Sequence, residues 1–276
     1  MTGERVRLAA GAAQLEVDPA DGGRWTSLGV DGLELLAAVE IPGGHPPTLS
    51  GCFAMAPFAG RMSQGRFAWD GIVHELPVHA APHALHGTAV DAGWSVVERS
   101  RTRLVLEHEL AEPWPFAGSV RAELSLTEDA LTTVLEVRAV EEMPVVIGWH
   151  PWLRRRLDRG SEAVLRAAPV QQYEKGPDAL PTGRLVPPTP GPHDDCFLGL
   201  ATPPEVVWPG ALELVIDSPT DHWVVMTEHP DALAVEPQTG PPDAVRLERA
   251  TVVPAGGTVA LTTTFRWRLL ADADEG

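Results

Sequence analysis

Cysteine is nearly missing from this chain. Two occur in 276 residues, Cys52 and Cys196, far apart and without metal-ligand spacing, which excludes a disulfide framework and a zinc ribbon and fits a reducing compartment. No apolar run approaches membrane-spanning length. The opening "MTGERVRLAAGAAQLEV" has no sustained apolar stretch before Gln14 and Glu16, so a soluble, cytoplasmic protein is expected. Basic side chains are scarce as well: 21 stand against 38 acidic ones, a formal charge of −17. Such a surface argues against nucleic acid and acidic membranes as partners and leaves room for a neutral or cationic small ligand. Also missing are a phosphate-cradling glycine loop, a G-x-S-x-G elbow and any amphipathic helical stripe with capping signals.

Proline and glycine are plentiful, at 27 and 26 residues, and cut the chain into pieces better suited to strands than to long helices. "RFAWDGIVHEL" places Asp70-Gly71 between two extended runs, the strongest short-range hairpin signal. "RLVLEHEL", "SVRAELSL" and "LTTVLEVRAV" continue with alternating or β-branched patterns, the last two joined by the turn "TEDA". In "TVALTTTFRWRL" the residues Val259, Leu261, Thr263, Phe265 and Trp267 share one face. The expected class is all-β, a large β-sandwich of two packed antiparallel sheets in one domain over residues 1–276. "IPGGHPPTLSG" and "VPPTPGPHDD" read as ordered loops, and "ADADEG" as an acidic tail.

Four polar residues interrupt or end apolar stretches: Arg61, His86, His150 and Glu236. In "PVVIGWHPWL" an apolar run ends in His150 ahead of Pro151, either a strand finishing at a surface turn or a buried strand that aims an imidazole. Glu236 stands where the short strand "ALAV" is expected to stop at Pro237. A carboxylate there is an ordinary edge glutamate, or, if buried, it is paired or catalytic. Arg61, after an apolar strand and a glycine, is on its own most simply an exposed loop arginine. The histidines at 74, 79, 83 and 86 invite a metal, but Pro82 breaks the helical spacing that two ligands need and no carboxylate or thiolate lies nearby in that loop, so no metal is expected. Asp194 and Asp195 are paired acids in a loop. Arg154, Arg155 and Arg156 most simply form a solvated face.

Taken in order, "PFAGRMSQGRFAWDG", "HALHG", "GWHPWL", "DALPTG", "DDCF" and "AVEPQTGPPDA" resemble the aldose 1-epimerase (galactose mutarotase) family over nearly the whole chain. The resemblance implies a β-sandwich with a sugar cleft, no cofactor, Glu236 as catalytic base and His150 as catalytic acid. It further implies sugar binding by Arg61, His86 and Asp194. On the residues themselves, Trp149 or Trp152 offers a ring face on which a sugar packs, and Trp152 fits a packed core aromatic equally well. Three departures accompany the resemblance. Gly60 stands where many members have asparagine, Trp152 where tyrosine or phenylalanine is usual, and "HGTA" replaces a second glycine after the histidine. These bear on which aldose is preferred. A noncatalytic sugar-binding module and a hexose-phosphate mutarotase are the rival readings.

Overall fold

The computed structural model describes residues 4–45 and 48–271; the acidic end, 272–276, lies outside them. Two antiparallel sheets dominate. The larger has eleven strands, running in the order Val6–Ala10, Ala13–Asp18, Arg24–Val30, Cys52–Met55, Gly148–Arg154, Ala232–Gln238, His222–Met226, Asp194–Leu200, Pro169–Lys175 and Pro181–Val186, with Leu33–Glu34 paired to the third. The other has eight, in the order Ser95–Arg99, Arg103–Leu110, Gly118–Leu126, Ala130–Ala139, Thr258–Leu269, Leu212–Asp217, Glu205–Trp208 and Val164–Arg166. Three two-stranded ribbons complete the all-β structure. No α-helix occurs among the described residues, and no helix there is long and apolar enough to cross a membrane.

Local turn chemistry produces several of these pairings. Asp70 and Gly71, at φ 47° and 76°, close the hairpin of Arg66–Trp69 with Ile72–Glu75, the geometry in which both central residues need positive φ. In the eight-stranded sheet, Thr258–Leu269 lies between Ala130–Ala139 and Leu212–Asp217. Its residues Leu261, Thr263, Phe265 and Trp267 point into the core while their neighbours face outward.

The central strands of the larger sheet are covered on both faces. On the inner face Trp149, Leu153, Leu233 and Val235 join the main core with residues of the opposite sheet, where Trp25 lies 4.8 Å from Trp149 and 5.3 Å from Phe265. On the outer face Phe53, Met55, Trp152, Ala232 and Ala234 form a second, smaller cluster. His150 and Glu236 fall on this outer face by the two-residue period.

Two sequence expectations are corrected here. The strand carrying Glu236 does not stop at Pro237 but runs through it to Gln238. The apolar run before His150 is not one strand: Met143–Val145 pairs with Thr251–Val253 in a separate ribbon, and the sheet strand begins only at Gly148 and continues through Pro151 to Arg154. Asp194 and Asp195 likewise open a strand instead of lying in a loop. Proline is tolerated inside these central strands because the ladder between them is open at that point.

Candidate functional site

The strands Gly148–Arg154 and Ala232–Gln238 are neighbours, with Gly148 paired to Gln238 and Trp152 to Ala234. That register sets His150 opposite Glu236, on the same face, where cross-strand side chains meet. Between those two pairs the ladder is interrupted. Pro151 and Pro237 flank the gap, and neither has an N–H to donate. His150 Nε2 lies 3.3 Å from Glu236 Oε1, and both side chains are buried.

Packing fixes the imidazole. The Phe53 ring stacks on it at 4.7 Å between centroids, Trp152 lies at 4.8 Å and His86 meets it edge-on at 5.1 Å. The buried Arg24 guanidinium sits 5.1 Å from the Phe53 ring centre and donates to the carbonyls of Ser50 and Val90. Glu236 Oε2 accepts from Gln238 Nε2 at 3.0 Å. Burial pushes the His150 imidazole down to about 3, with the Arg24 charge adding to the fall. Burial also pushes the Glu236 carboxyl well above the usual carboxylate range; the Asp194 charge adds to the rise, while the Gln238 hydrogen bond and Arg61 oppose it. A low-dielectric pocket penalises net charge. The pair therefore favours one shared proton, either on the imidazole beside a carboxylate or on the carboxyl beside a neutral imidazole.

A short ribbon brings two further residues to the rim. Arg61–Met62 pairs with Ala84–Leu85, and the backbone N–H of His86 donates to the Gly60 carbonyl at 2.9 Å. His86 itself has φ 60°, a region sparsely used by non-glycine residues and common at functional positions. Gly87 follows at φ 87°, and a Cβ there would stand 2.0 Å from the Ala56 carbonyl oxygen, so this crossing requires the glycine after His86. Burial holds the His86 imidazole well below its ordinary value. Asp194, at the start of its strand, lies 3.9 Å from Arg61 Nη1 and 3.6 Å from Lys175 Nζ. Trp152 is almost wholly buried and donates through Nε1 to the Thr48 carbonyl at 2.8 Å.

All six residues singled out from the sequence, Arg61, His86, His150, Trp152, Asp194 and Glu236, line one cavity of about 750 Å³. Of the other histidines of the 74–86 segment, His83 lines the same cavity and His74 and His79 do not. His74 stacks on Phe67, His79 on His45, and His83 bridges the Gln64 N–H and the Asp178 carbonyl through its two ring nitrogens. The three consecutive arginines do not form the solvated face expected from the sequence: Arg154 and Arg155 are partly buried and Arg156 alone is exposed. Arg154 donates to the Leu36 carbonyl, Arg155 to the carbonyls of His229 and Thr227, and Arg156 pairs with Glu162.

Sequence reasoning missed Gln238, Lys175 and the Arg24–Phe53 support. Gln238 had a readable signal: it stands two residues after Glu236, hence on the same face of an extended strand. Gly60 also gains an explanation. It has φ 69°, and a Cβ on it would stand 2.7 Å from the Pro242 ring carbons, so the proline fills the space that a side chain at 60 would take.

Comparison with known proteins agrees with this architecture. Over 109 residues the chain is 35% identical to the uncharacterized protein YphB of Escherichia coli (strain K12), a match spanning 38% of this chain and 37% of YphB. A crystal structure of an Escherichia coli K12 protein superposes with a TM-score of 0.83 at 22% identity, covering 97% of this chain and 99% of the other. A galactose mutarotase-like protein from Clostridium acetobutylicum gives 0.82 at 15%, covering 96% and 95%. A galactose 1-epimerase from Lactobacillus acidophilus NCFM gives 0.78 at 13%, covering 96% and 94%. At these identities the superpositions speak for the fold. The sequence profile described as aldose 1-epimerase matches residues 5–246, and the chain belongs to the aldose 1-epimerase family.

Proposed function

We propose that the protein is an aldose 1-epimerase, a single-domain enzyme that interconverts the α and β anomers of a free aldose. Glu236 takes the proton of the C1 hydroxyl while His150 delivers one to the ring oxygen. The C1–ring oxygen bond breaks and the open aldehyde forms. After rotation about C1–C2 the same two groups act in reverse: the carboxyl returns its proton to O1 as the imidazole accepts one from the attacking hydroxyl. The observation that carries this reading is the 3.3 Å contact between His150 Nε2 and Glu236 Oε1 at the cavity wall. The two oxygens they must serve are bonded to the same carbon, so acid and base need to be neighbours.

The shared proton suits the cycle. Ring opening converts carboxylate and imidazolium into carboxyl and neutral imidazole; reclosure converts them back. Burial raises the carboxyl and lowers the imidazole, which lowers the carboxyl–imidazole arrangement relative to the ion pair and so favours the proton transfers of ring opening. No proton is exchanged with solvent over a turnover, and the reaction balances on protons alone. Arg61, His86 and Asp194 bind the sugar hydroxyls, and Trp152 walls the pocket beside the imidazole.

A phosphorylated hexose fits less well. Arg154, Arg155 and Arg156 are engaged with carbonyls and Glu162, while Glu40, Asp194 and Glu228 line the same cavity as Arg61. A cytoplasmic setting accords with two buried free thiols. Polarimetry on freshly dissolved α-glucose and α-galactose, with matched buffer blanks, tests the proposal. Acceleration that Glu236→Gln abolishes supports it; sugar binding without any acceleration turns the reading to a noncatalytic sugar-binding protein.

A further inference from the structure

We propose that Gln238 is a positioning residue of the reaction: its side-chain N–H locks one oxygen of Glu236, so that the other, turned to His150, is the proton acceptor. The inference rests on Glu236 being the base. Gln238 Nε2 donates to Oε2 at 3.0 Å, while Oε1 faces His150 Nε2 at 3.3 Å. Each carboxylate oxygen thus has a different partner, and the carboxyl plane is set by two strands at once. Without the amide, the carboxyl plane is held on one side only, and rotation about its last torsion, which is broad for a carboxyl, carries the acceptor oxygen off its line to His150.

The surroundings of Gln238 are arranged to keep it there. The residue is wholly buried. A Cβ at its cross-strand partner Gly148 would stand 2.9 Å from Gln238 Cγ and 2.6 Å from the Pro237 carbonyl oxygen, so glycine leaves the channel in which the amide lies. Thr220 donates through its hydroxyl to the Gln238 carbonyl and anchors the backbone from the neighbouring segment. The amide oxygen has no hydrogen-bond partner among the described residues. A buried unsatisfied oxygen costs free energy that an apolar side chain of the same size avoids. What offsets that cost is the charge-assisted bond from the same amide to the carboxylate.

The titratable and charged groups around Glu236 are His150 on the adjacent strand, Asp194 and Arg61 across the cavity, and the buried thiols of Cys52 and Cys196, both held well above their ordinary range by burial. Asp194 lies close to Arg61, and the thiols stay neutral at the pH of the assay. The hydrogen bond from Gln238 is thus the main interaction, together with Arg61, that favours the ionised carboxylate. Its loss has a signature that a packing role lacks.

Gln238→Leu keeps the volume and removes the donor. Steady-state anomerisation of the sugar that wild type turns over best, measured from about pH 4 to 10, is expected to show kcat lower by about 10- to 100-fold with KM little changed. The alkaline limb is expected to move to higher pH, because the pair holds its shared proton more tightly once the carboxylate loses a donor. An unchanged kcat, a loss confined to KM, or a fall in kcat with the limb in place overturns the inference. Gln238→Asn, whose amide stops a methylene short of the carboxylate, carries the same test with the same expected directions if the leucine variant does not fold. Glu236→Gln is assayed alongside. If it is inactive while Gln238→Leu is unaltered, the positioning inference alone fails; if it is active, the base assignment fails and takes this inference with it.

Discussion

Replacing Glu236 by glutamine is the most direct perturbation of the proposed chemistry, because it alters almost nothing else. The amide has the shape of the carboxylate. Its oxygen accepts from His150 Nε2 across the present 3.3 Å, and it keeps a bond to Gln238 once that amide rotates to present its oxygen, which at present has no partner among the described residues. What disappears is the proposed base. A positioned general base contributes roughly 10²- to 10⁴-fold, or about 3 to 5 kcal/mol of barrier, so kcat for anomerisation is expected to fall by that factor with KM within about threefold. Stability should move the other way. The carboxyl is buried deeply enough to be pushed well above its ordinary range, and a neutral isostere avoids the cost of holding charge there, so the melting temperature is expected to be unchanged or higher. The assay is polarimetry on a freshly dissolved α-aldose with the spontaneous rate subtracted, paired with a thermal melt. A folded variant that anomerises within about threefold of wild type would refute the reasoning.

Four other outcomes are expected. The kcat/KM profile should lack an inflection near pH 6.5, where a solvated imidazole titrates, because His150 is pushed down to about 3; the acid limb belongs to a second proton on the pair and the alkaline limb to loss of the shared one, so a bell centred on a pKa near 6.5 would contradict it. Gly60→Ala places a methyl 2.7 Å from the Pro242 ring at φ 69° and should destabilise the protein by about 1–3 kcal/mol, read as a lower urea midpoint and partly relieved by Pro242→Ala. Arg155→Ala leaves the carbonyls of Thr227 and His229 without their donor and should cost about 1–3 kcal/mol of stability, without changing the rate ratio between a hexose and its 6-phosphate. Trp152→Phe removes the buried bond to Thr48 and should cost about 1 kcal/mol in a chemical melt.

What could be read from the sequence follows from how each strand is covered. Thr258–Leu269 has one core face and one wet face, so it alternates and was legible, as was the hairpin at Asp70-Gly71, whose turn residues name their own geometry. The central strands have apolar cover on both sides. Their sequences are therefore continuous apolar runs without a period, and Pro237 was misread as an end because proline inside a sheet is ordinarily excluded by the ladder. Of the six candidate residues that line one cavity, Arg61, His86, His150 and Glu236 were legible as interruptions of apolar stretches, whereas Asp194 and Trp152 were not. Nor was the site's geometry: the meeting of His150 with Glu236 depends on pairing two strands far apart in the chain, which no local pattern encodes. Gln238 escaped notice because an amide after a proline looks like the beginning of a loop.

The placing of His150 and Glu236 opposite one another on adjoining strands makes turnover a gauge of sheet alignment. A slide of either strand by one residue would swing its functional group to the inner side, among tryptophan and leucine, while most backbone pairing could re-form elsewhere along the edge. In mild denaturant, anomerisation is therefore expected to vanish before the far-ultraviolet signature of the strands declines. The proposed activity would be lost to misalignment well ahead of melting.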